Sequence, residues 1–416
     1  MPVVSSPLGP AFWRLYAASA ASNLADGVNR VALPLLAATL TRDPVAVAAL
    51  TSLAFLPWLL FALPAGAFVD RSDRKRAMAA ANVVRAAALA ALAATVLTGT
   101  TSLVVLYTVA FAVGVAETVY DSAARAMLPQ VVRRDQLDRG NGLLTTAEEA
   151  SQGFIGAPLG SVLFVLAAAA PLLTTAGGFL LAAVLVVGIA GTHRPARGEG
   201  PPTTIRRDVA EGVGWLWRHR FLRGLTLVSA STALTSSMTT GVFVLYALDT
   251  VEIGAAGYGL LLTAGGVGAV LGGLTAAPLA DRIGRTATLV AGSVLAALTL
   301  GAMAFTENGV VAGVLFGAGT VGVLFWNVLT MSLRQALIPE ALFGRVQGGY
   351  RTLVWGGIPL GALAGGLLAD ATSVPTVFAV SGAVQLVLAG VLWWLLAAHR
   401  DLVANAFAAD EEPAAS

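Results

Sequence analysis

The chain has 416 residues, of which 57% are hydrophobic and only 12% charged, with a formal net charge of +2 and a mean hydropathy of +0.79. A soluble core cannot bury that much apolar surface, so composition places the chain in a membrane. Cysteine is absent, which excludes disulfides, thiolate metal sites and cysteine nucleophiles, and the basic residues are scattered over many loops instead of forming the patch a nucleic-acid binder needs.

Apolar runs cut at polar turns predict twelve helices, near residues 12–40, 45–69, 77–98, 102–125, 140–167 and 171–191, then 223–248, 256–280, 286–306, 309–333, 347–369 and 373–398. The first run is too long for the apolar region of a signal peptide and holds Asp26 and Arg30, so it is expected to be a retained span. Connections on one side carry Arg71, Arg74, Lys75 and Arg76, then Arg133, Arg134 and Arg139, then the stretch from Arg194 to Arg223, then Arg282, Arg285, Arg334, Arg345 and Arg400. The opposite connections carry Arg42. The positive-inside rule then puts both termini in the cytoplasm, which an even number of spans satisfies.

Four regions follow: a six-helix bundle over 1–191, a linker over 192–222, a second six-helix bundle over 223–400 and a disordered tail over 401–416. In the linker Ile205, Val209, Val213, Leu216 and Trp217 recur at helical spacing. They predict an amphipathic cytoplasmic helix that either lies against the bundle or membrane surface or serves only as a tether.

A short charged motif occurs twice. Asp70, Arg71 and Arg74 recur 211 residues on as Asp281, Arg282 and Arg285, each copy between two apolar runs, so the chain reads as one unit duplicated head to tail. An acid at a helix end with arginine a few residues on can bridge neighbouring helix ends and hold the cytoplasmic side closed. The first copy is fuller: Ala277 replaces Gly66 and Thr286 replaces Lys75 in the second, which predicts a stronger latch in the amino-terminal half.

Polar groups at membrane depth are costly unless they face a cavity or a partner, so they mark candidate sites. The first span offers Asn23, Asp26 and Arg30 on one face, where Asp26 can pair with Arg30 or with a proton. The fourth carries Glu117, Asp121 and Arg125 at successive steps of four. The fifth carries Glu148, aligned with Thr145 and Gln152, and Glu149, aligned with Gly153, Gly156 and Gly160. Packing salt bridges to Arg30, Arg85 and Arg125 are the alternative use of these acids. All five deep carboxylates lie in the first half, so a proton path is expected there. The second half supplies Trp326, Asn327, Gln335, Tyr350, Arg351 and Trp355, a mixture of aromatic faces, amides and one cation suited to an amphipathic ligand. No Walker-type Gly-Lys-Ser or Gly-Lys-Thr and no nucleophile–base or metal cluster is present, so neither an ATP-driven pump nor an enzyme is expected, and no cofactor or metal.

The stretch Gly66, Asp70, Arg71, Asp73, Arg74, Lys75, Arg76 resembles the loop motif between helices two and three of the major facilitator superfamily, and its second copy the loop between helices eight and nine. The runs Glu117, Asp121, Ala124, Arg125, Leu128, Pro129, Leu137, Asn141, Glu148, Glu149, Gly156, Pro158, Leu159, Gly160 and Trp326, Asn327, Ser332, Leu333, Arg334, Gln335, Pro339, Gly344, Arg345, Val346, Arg351, Gly356, Pro359, Leu360, Gly361 resemble its enterobactin-exporter-like and macrolide-efflux-like drug/proton antiporters. The resemblance implies an all-α membrane protein of twelve transmembrane helices in two pseudo-symmetric six-helix bundles. It also implies a proton-coupled exporter of amphipathic organic compounds, such as drugs or siderophore-like molecules, working in the cytoplasmic membrane as a monomer. Its expected partners are a small organic substrate, protons and membrane lipid, and not nucleic acid. An uptake permease for a small nutrient and a non-transporting membrane sensor are the alternatives.

Overall fold

The computed structural model describes residues 7–69, 71–133, 136–191 and 205–403, and every regular element among them is helical. The chain runs through α1 (Pro10–Leu40), α2 (Pro44–Val69), α3 (Arg74–Leu97), α4 (Leu103–Val131), α5 (Leu137–Glu149), a π-helical stretch (Ala150–Gly156), α6 (Ala157–Leu166) and α7 (Ala170–Val187). It continues through α8 (Ile205–Arg218), α9 (Arg220–Leu245) with a π-helical extension (Tyr246–Thr250), α10 (Gly254–Ile283), α11 (Arg285–Ala302), α12 (Gly309–Leu337), α13 (Glu340–Ala371) and α14 (Val374–Ala398). Asp70 and Arg134, the linker residues 192–204 and the tail from 404 onward lie outside the described residues.

Lipid offers no partner to a bare N–H or C=O, so each span must satisfy its own backbone, and helices do so. Among the described residues eleven helices are long and apolar enough to cross a membrane, α5, the π stretch and α6 together forming one of them. α1 is 31 residues long, and with its apolar character interrupted by Asn23, Asp26, Asn29 and Arg30 it falls outside that set, although it packs among the spans of the first unit. Local chemistry sets several of the starts. Pro10, Pro171 and Pro375 sit in first turns, where a missing N–H costs nothing, and Asp73, Ser102, Asn308 and Ser373 accept backbone N–H groups as caps.

The helices divide into two compact units, Met1–Pro201 with Ile253–Thr263, and Pro202–Glu252 with Ala264–Ser416. In the first, α2 packs on α4, α4 on α3, α3 on α7, α7 on α1, and α1 on the α5–π–α6 segment. In the second, Gly268 of α10 meets the backbone of Gly317 in α12, α12 packs on α11, α11 on α14, α14 on α9, and α9 on α13. The order of neighbours is the same in both, so the duplication written in the charged motif is also a duplication of packing.

The α1 crossing is backbone against backbone. A Cβ on Gly27 would lie 2.7 Å from the Cα and carbonyl oxygen of Gln152, and one on Gly156 would lie 2.6 Å from the Cα of Gly27. Small residues permit that approach, and van der Waals packing then holds the helices together in lipid. The π stretch corrects the expected alignment of Glu149 with Gly156 and Gly160. Its i to i+5 pattern shifts the register, so the two glycines face α1, at Gly27 and Val28, while Glu149 stays exposed.

The linker helix α8 packs on α13. Gly212 sits against the Arg345 backbone, Gly349 meets Val213, and Leu216 is buried with Phe221, Leu225, Leu333 and Leu395. Val403, past the last span, is buried in the same core. At the α8–α9 junction His219 caps α9 by accepting the Leu222 N–H on Nδ1 at 3.3 Å, and burial holds its pKa below the ordinary imidazole value.

Gly156→Leu is expected to lower the thermal unfolding midpoint in detergent by several degrees, because its side chain has no room at α1. Gly142→Ala, in α5 with nothing near its Cβ, should leave the midpoint unchanged or raise it by the helix propensity of about 0.5–1 kcal/mol. The His219 cap requires the neutral ring. Its contribution is therefore complete above about pH 6.5 and falls as pH drops through the lower folded value, a slope that His219→Asn should flatten in pH-dependent melts.

Candidate functional site

The first unit is organised around a cation that the sequence reading did not place in the site. Arg85, midway along α3, is 0% exposed and forms an ion pair with Asp26, midway along α1. Its Nη1 also donates to Ser22 and to Asn82, each at 3.3 Å, and its guanidinium lies 3.9 Å from the Phe179 ring centre. Asp26 therefore pairs with Arg85, not with Arg30, which is exposed. The reason is geometric: a residue four positions away on the same helix points along the surface, whereas α3 presents Arg85 directly to α1. The signal was an arginine in the apolar run 77–98 with an amide one turn before it.

Around this pair the expected acids gather unevenly. Glu117, Asp121 and Arg30 lie close enough for their charges to act on Asp26, and Glu148 acts on Glu117. Glu117 is half-buried on α4, while Asp121 pairs with Arg125 at 3.7 Å. Glu148 and Glu149 are both exposed, and Glu149 is the one acid of the five that the charge cluster does not bring to Asp26 or Glu117. Two expected cavity residues meet each other: Gln152 of the π stretch donates to Asn23 of α1 at 2.7 Å. The π turn thus aims an amide at the polar face of α1, three residues from Asp26.

The second unit contains a cavity of about 280 Å³. Trp326, Asn327 and Tyr350 line it, with Ser229, Thr232, Ser236 and Gln385 supplying further polar groups and Val228, Val323, Ile358 and Leu388 an apolar wall. Gln385 donates to Ser236 at 2.9 Å, which fixes one side of the wall. Gln335, Arg351 and Trp355 do not line it. Gln335 lies two turns beyond Asn327 and is exposed, and Arg351 is turned onto the Trp355 ring, 4.4 Å from its centre. The residues missed were neutral serines, threonines and Gln385, which are ordinary within membrane helices and carry no sequence signal.

The two copies of the charged motif differ in use. In the first, Arg74 donates to the Ala126 carbonyl of α4 at 2.8 Å, and Lys75 donates to the carbonyls of Ile189 and Gly191 just past α7, each at 3.0 Å. Asp73 caps α3 through the Arg76 N–H. Arg71 is exposed, Asp70 lies outside the described residues, and a Cβ on Gly66 would meet nothing. In the second copy Gly284, at φ +89°, stands where the first has Asp73, and Asp281, Arg282 and Arg285 are all exposed. The first copy ties three helix ends together with charged donors; the second turns the chain with a glycine.

A family model described as "Transmembrane secretion effector", within the major facilitator superfamily, matches residues 5–413. The chain belongs to that family. Among curated relatives, the multidrug efflux pump Tap of Mycobacterium tuberculosis is 29% identical over 420 residues, covering 96% of each chain. Tap of Mycolicibacterium fortuitum is 26% identical over 407 residues, covering 95% of this chain and 97% of its own. The crystal structure of the nucleoside transporter NupG aligns with a TM-score of 0.77 at 14% identity, over 93% of this chain and 99% of that one, a likeness of fold. This secretion-effector family member is thus a multi-pass membrane transporter of the drug-efflux type, not an enzyme.

Removing one partner of a buried pair strands the other charge, at about 3–5 kcal/mol. Arg85→Leu should therefore lower thermal stability strongly, Asp26→Asn less, and the double variant should recover part of the loss of Arg85→Leu. A double-mutant cycle of melting midpoints in one detergent measures the coupling.

Proposed function

We propose that this transporter is a proton-coupled antiporter that exports amphipathic organic compounds across the cytoplasmic membrane by alternating access, with both termini in the cytoplasm. The observation that carries the reading is the buried Asp26–Arg85 pair, with Glu117 and Asp121 near enough to act on it. In a dry interior a change of one charge at such a pair alters the energy of a conformation by kilocalories per mole, so protonating Asp26 biases a two-state equilibrium. Arg85 Nε and Asn82 Nδ2 have no protein partner, which leaves donors for water beside the carboxylate. The curated relatives named multidrug efflux pumps support the outward direction. The cavity in the second unit, apolar with a few amides and hydroxyls, suits compounds of that kind. Arg74 and Lys75, bound to backbone carbonyls at helix ends, serve as the cytoplasmic latch in this reading.

Ethidium flux in proteoliposomes under an imposed pH gradient tests it. The wild type should concentrate the dye against its own gradient, and Asp26→Asn should abolish that accumulation while leaving downhill flux within a few-fold. Transport indifferent to the pH gradient, or accumulation that survives neutralising Asp26, Glu117, Asp121, Glu148 and Glu149 together, would refute the coupling.

A further inference from the structure

Among the described residues, the second unit holds a buried cation without a counter-ion such as Asp26 gives Arg85 in the first. In the first half Arg125 stands four residues before Pro129 and pairs with Asp121, one turn earlier, at 3.7 Å. In the second half Arg334 stands five residues before Pro339, and the position one turn earlier is Thr330, whose hydroxyl donates to the Trp326 carbonyl of its own helix at 2.7 Å. Arg334 is only 7% exposed, and no acid pairs with it among the described residues. Its Nη2 reaches the Met331 thioether at 3.6 Å, while Nε and Nη1 have no partner. A guanidinium buried with two unmet donors is destabilising unless an anion meets it.

Its surroundings join it to the cavity. The guanidinium stacks 3.8 Å from the ring centre of Tyr350, which lines the cavity. Asn327, another lining residue, is seven positions earlier on α12, so it shares a face with Arg334 about 10 Å away along the axis. Gln347, three residues before Tyr350, approaches the same Met331 sulfur at 3.8 Å, and its Oε1 is also buried without a partner.

We infer that Arg334, with Gln347 beside it and Tyr350 as its stacking partner, binds the carboxylate of an amphipathic organic acid whose apolar body occupies the cavity lined by Trp326 and Asn327. The flat guanidinium fork matches a carboxylate through two parallel N–H donors, which a lysine could not reproduce. The amide of Gln347 turns to donate its NH₂ to the same group, and Tyr350 rotates to admit it. The inference rests on the reading of this cavity as the substrate site, and it names the substrates favoured there: organic acids over neutral analogues of the same shape.

The test uses the purified full chain in phosphatidylcholine nanodiscs, with dansylglycine and its uncharged amide as matched fluorescent probes at pH 7.5. The wild type should bind the acid about tenfold more tightly than the amide, the scale of one charge-assisted hydrogen-bond pair. Arg334→Gln should remove that preference and leave amide binding unchanged, and Arg334→Lys should keep part of it. Equal affinities for acid and amide in the wild type, or a preference that persists in Arg334→Gln, would overturn the inference. So would Arg334-dependent thermal stabilisation by inorganic phosphate or phosphatidylglycerol without any preference for the acid probe, since that marks a phosphate or lipid site. If Arg334→Gln fails to fold, the wild-type ratio of the two probes still decides. Ethidium accumulation in Arg334→Gln separates this claim from the export reading, which stands if the dye is still pumped.

Discussion

A charge inside an apolar span has to be answered by another part of the protein, because lipid supplies neither a counter-ion nor a hydrogen bond. Arg85 is where that constraint acts most strongly. Fully buried on α3, it draws Asp26 from α1, Ser22 and Asn82 into its donors, and the Phe179 ring over its face. The α1–α3–α7 arrangement of the first unit is built around this group, and the close α1 crossing at Gly27 and Gly156 holds Asp26 in place to meet it. Structure and candidate mechanism share one interaction: the pair that secures the packing is also the one whose protonation could shift it.

The two units started from one pattern and solved the same problem differently. Their helices pack in the same order, yet the first keeps its charges in pairs, Arg85 with Asp26 and Arg125 with Asp121. The second holds a neutral cavity of hydroxyls and amides beside one buried arginine that no acid meets among the described residues. The charged motif diverges in the same direction, tying helix ends through Arg74 and Lys75 in the first copy and turning on Gly284 in the second. This divergence fits the proposed division between a proton-handling half and a ligand-handling half, with Arg334 a buried cation on the ligand side.

Legibility followed the physical range of each signal. Spans were readable because length and hydropathy are properties of contiguous sequence, and the predicted helix set reappears with ends shifted by a few residues, most at α4 and α13, which run on into the adjoining turns. Asn23 and Gln152 stand out in the sequence separately, each as a polar group at membrane depth on its own span, and nothing in the chain says that they touch. In the sequence Arg85 is one of three cations that the deep acids could meet in packing bridges, and that it is the one facing Asp26 is a fact about two helices at once. Regular helical spacing across the predicted helix 140–167 puts Glu149 on the glycine face, and a π turn is invisible to that spacing.

The sequence by itself determined that the chain is a membrane protein of duplicated design, where its spans lie and which of them carry charge. These follow from the cost of exposing polar groups to lipid, which acts residue by residue along the chain. Only the tertiary structure decided which charges meet, that Asp26 belongs to Arg85, that Gln385 and Ser236 wall the cavity with Trp326, and that Arg334 is buried with donors to spare. Pairing energy depends on distance and burial between helices far apart in sequence, and those are fixed when the helices pack.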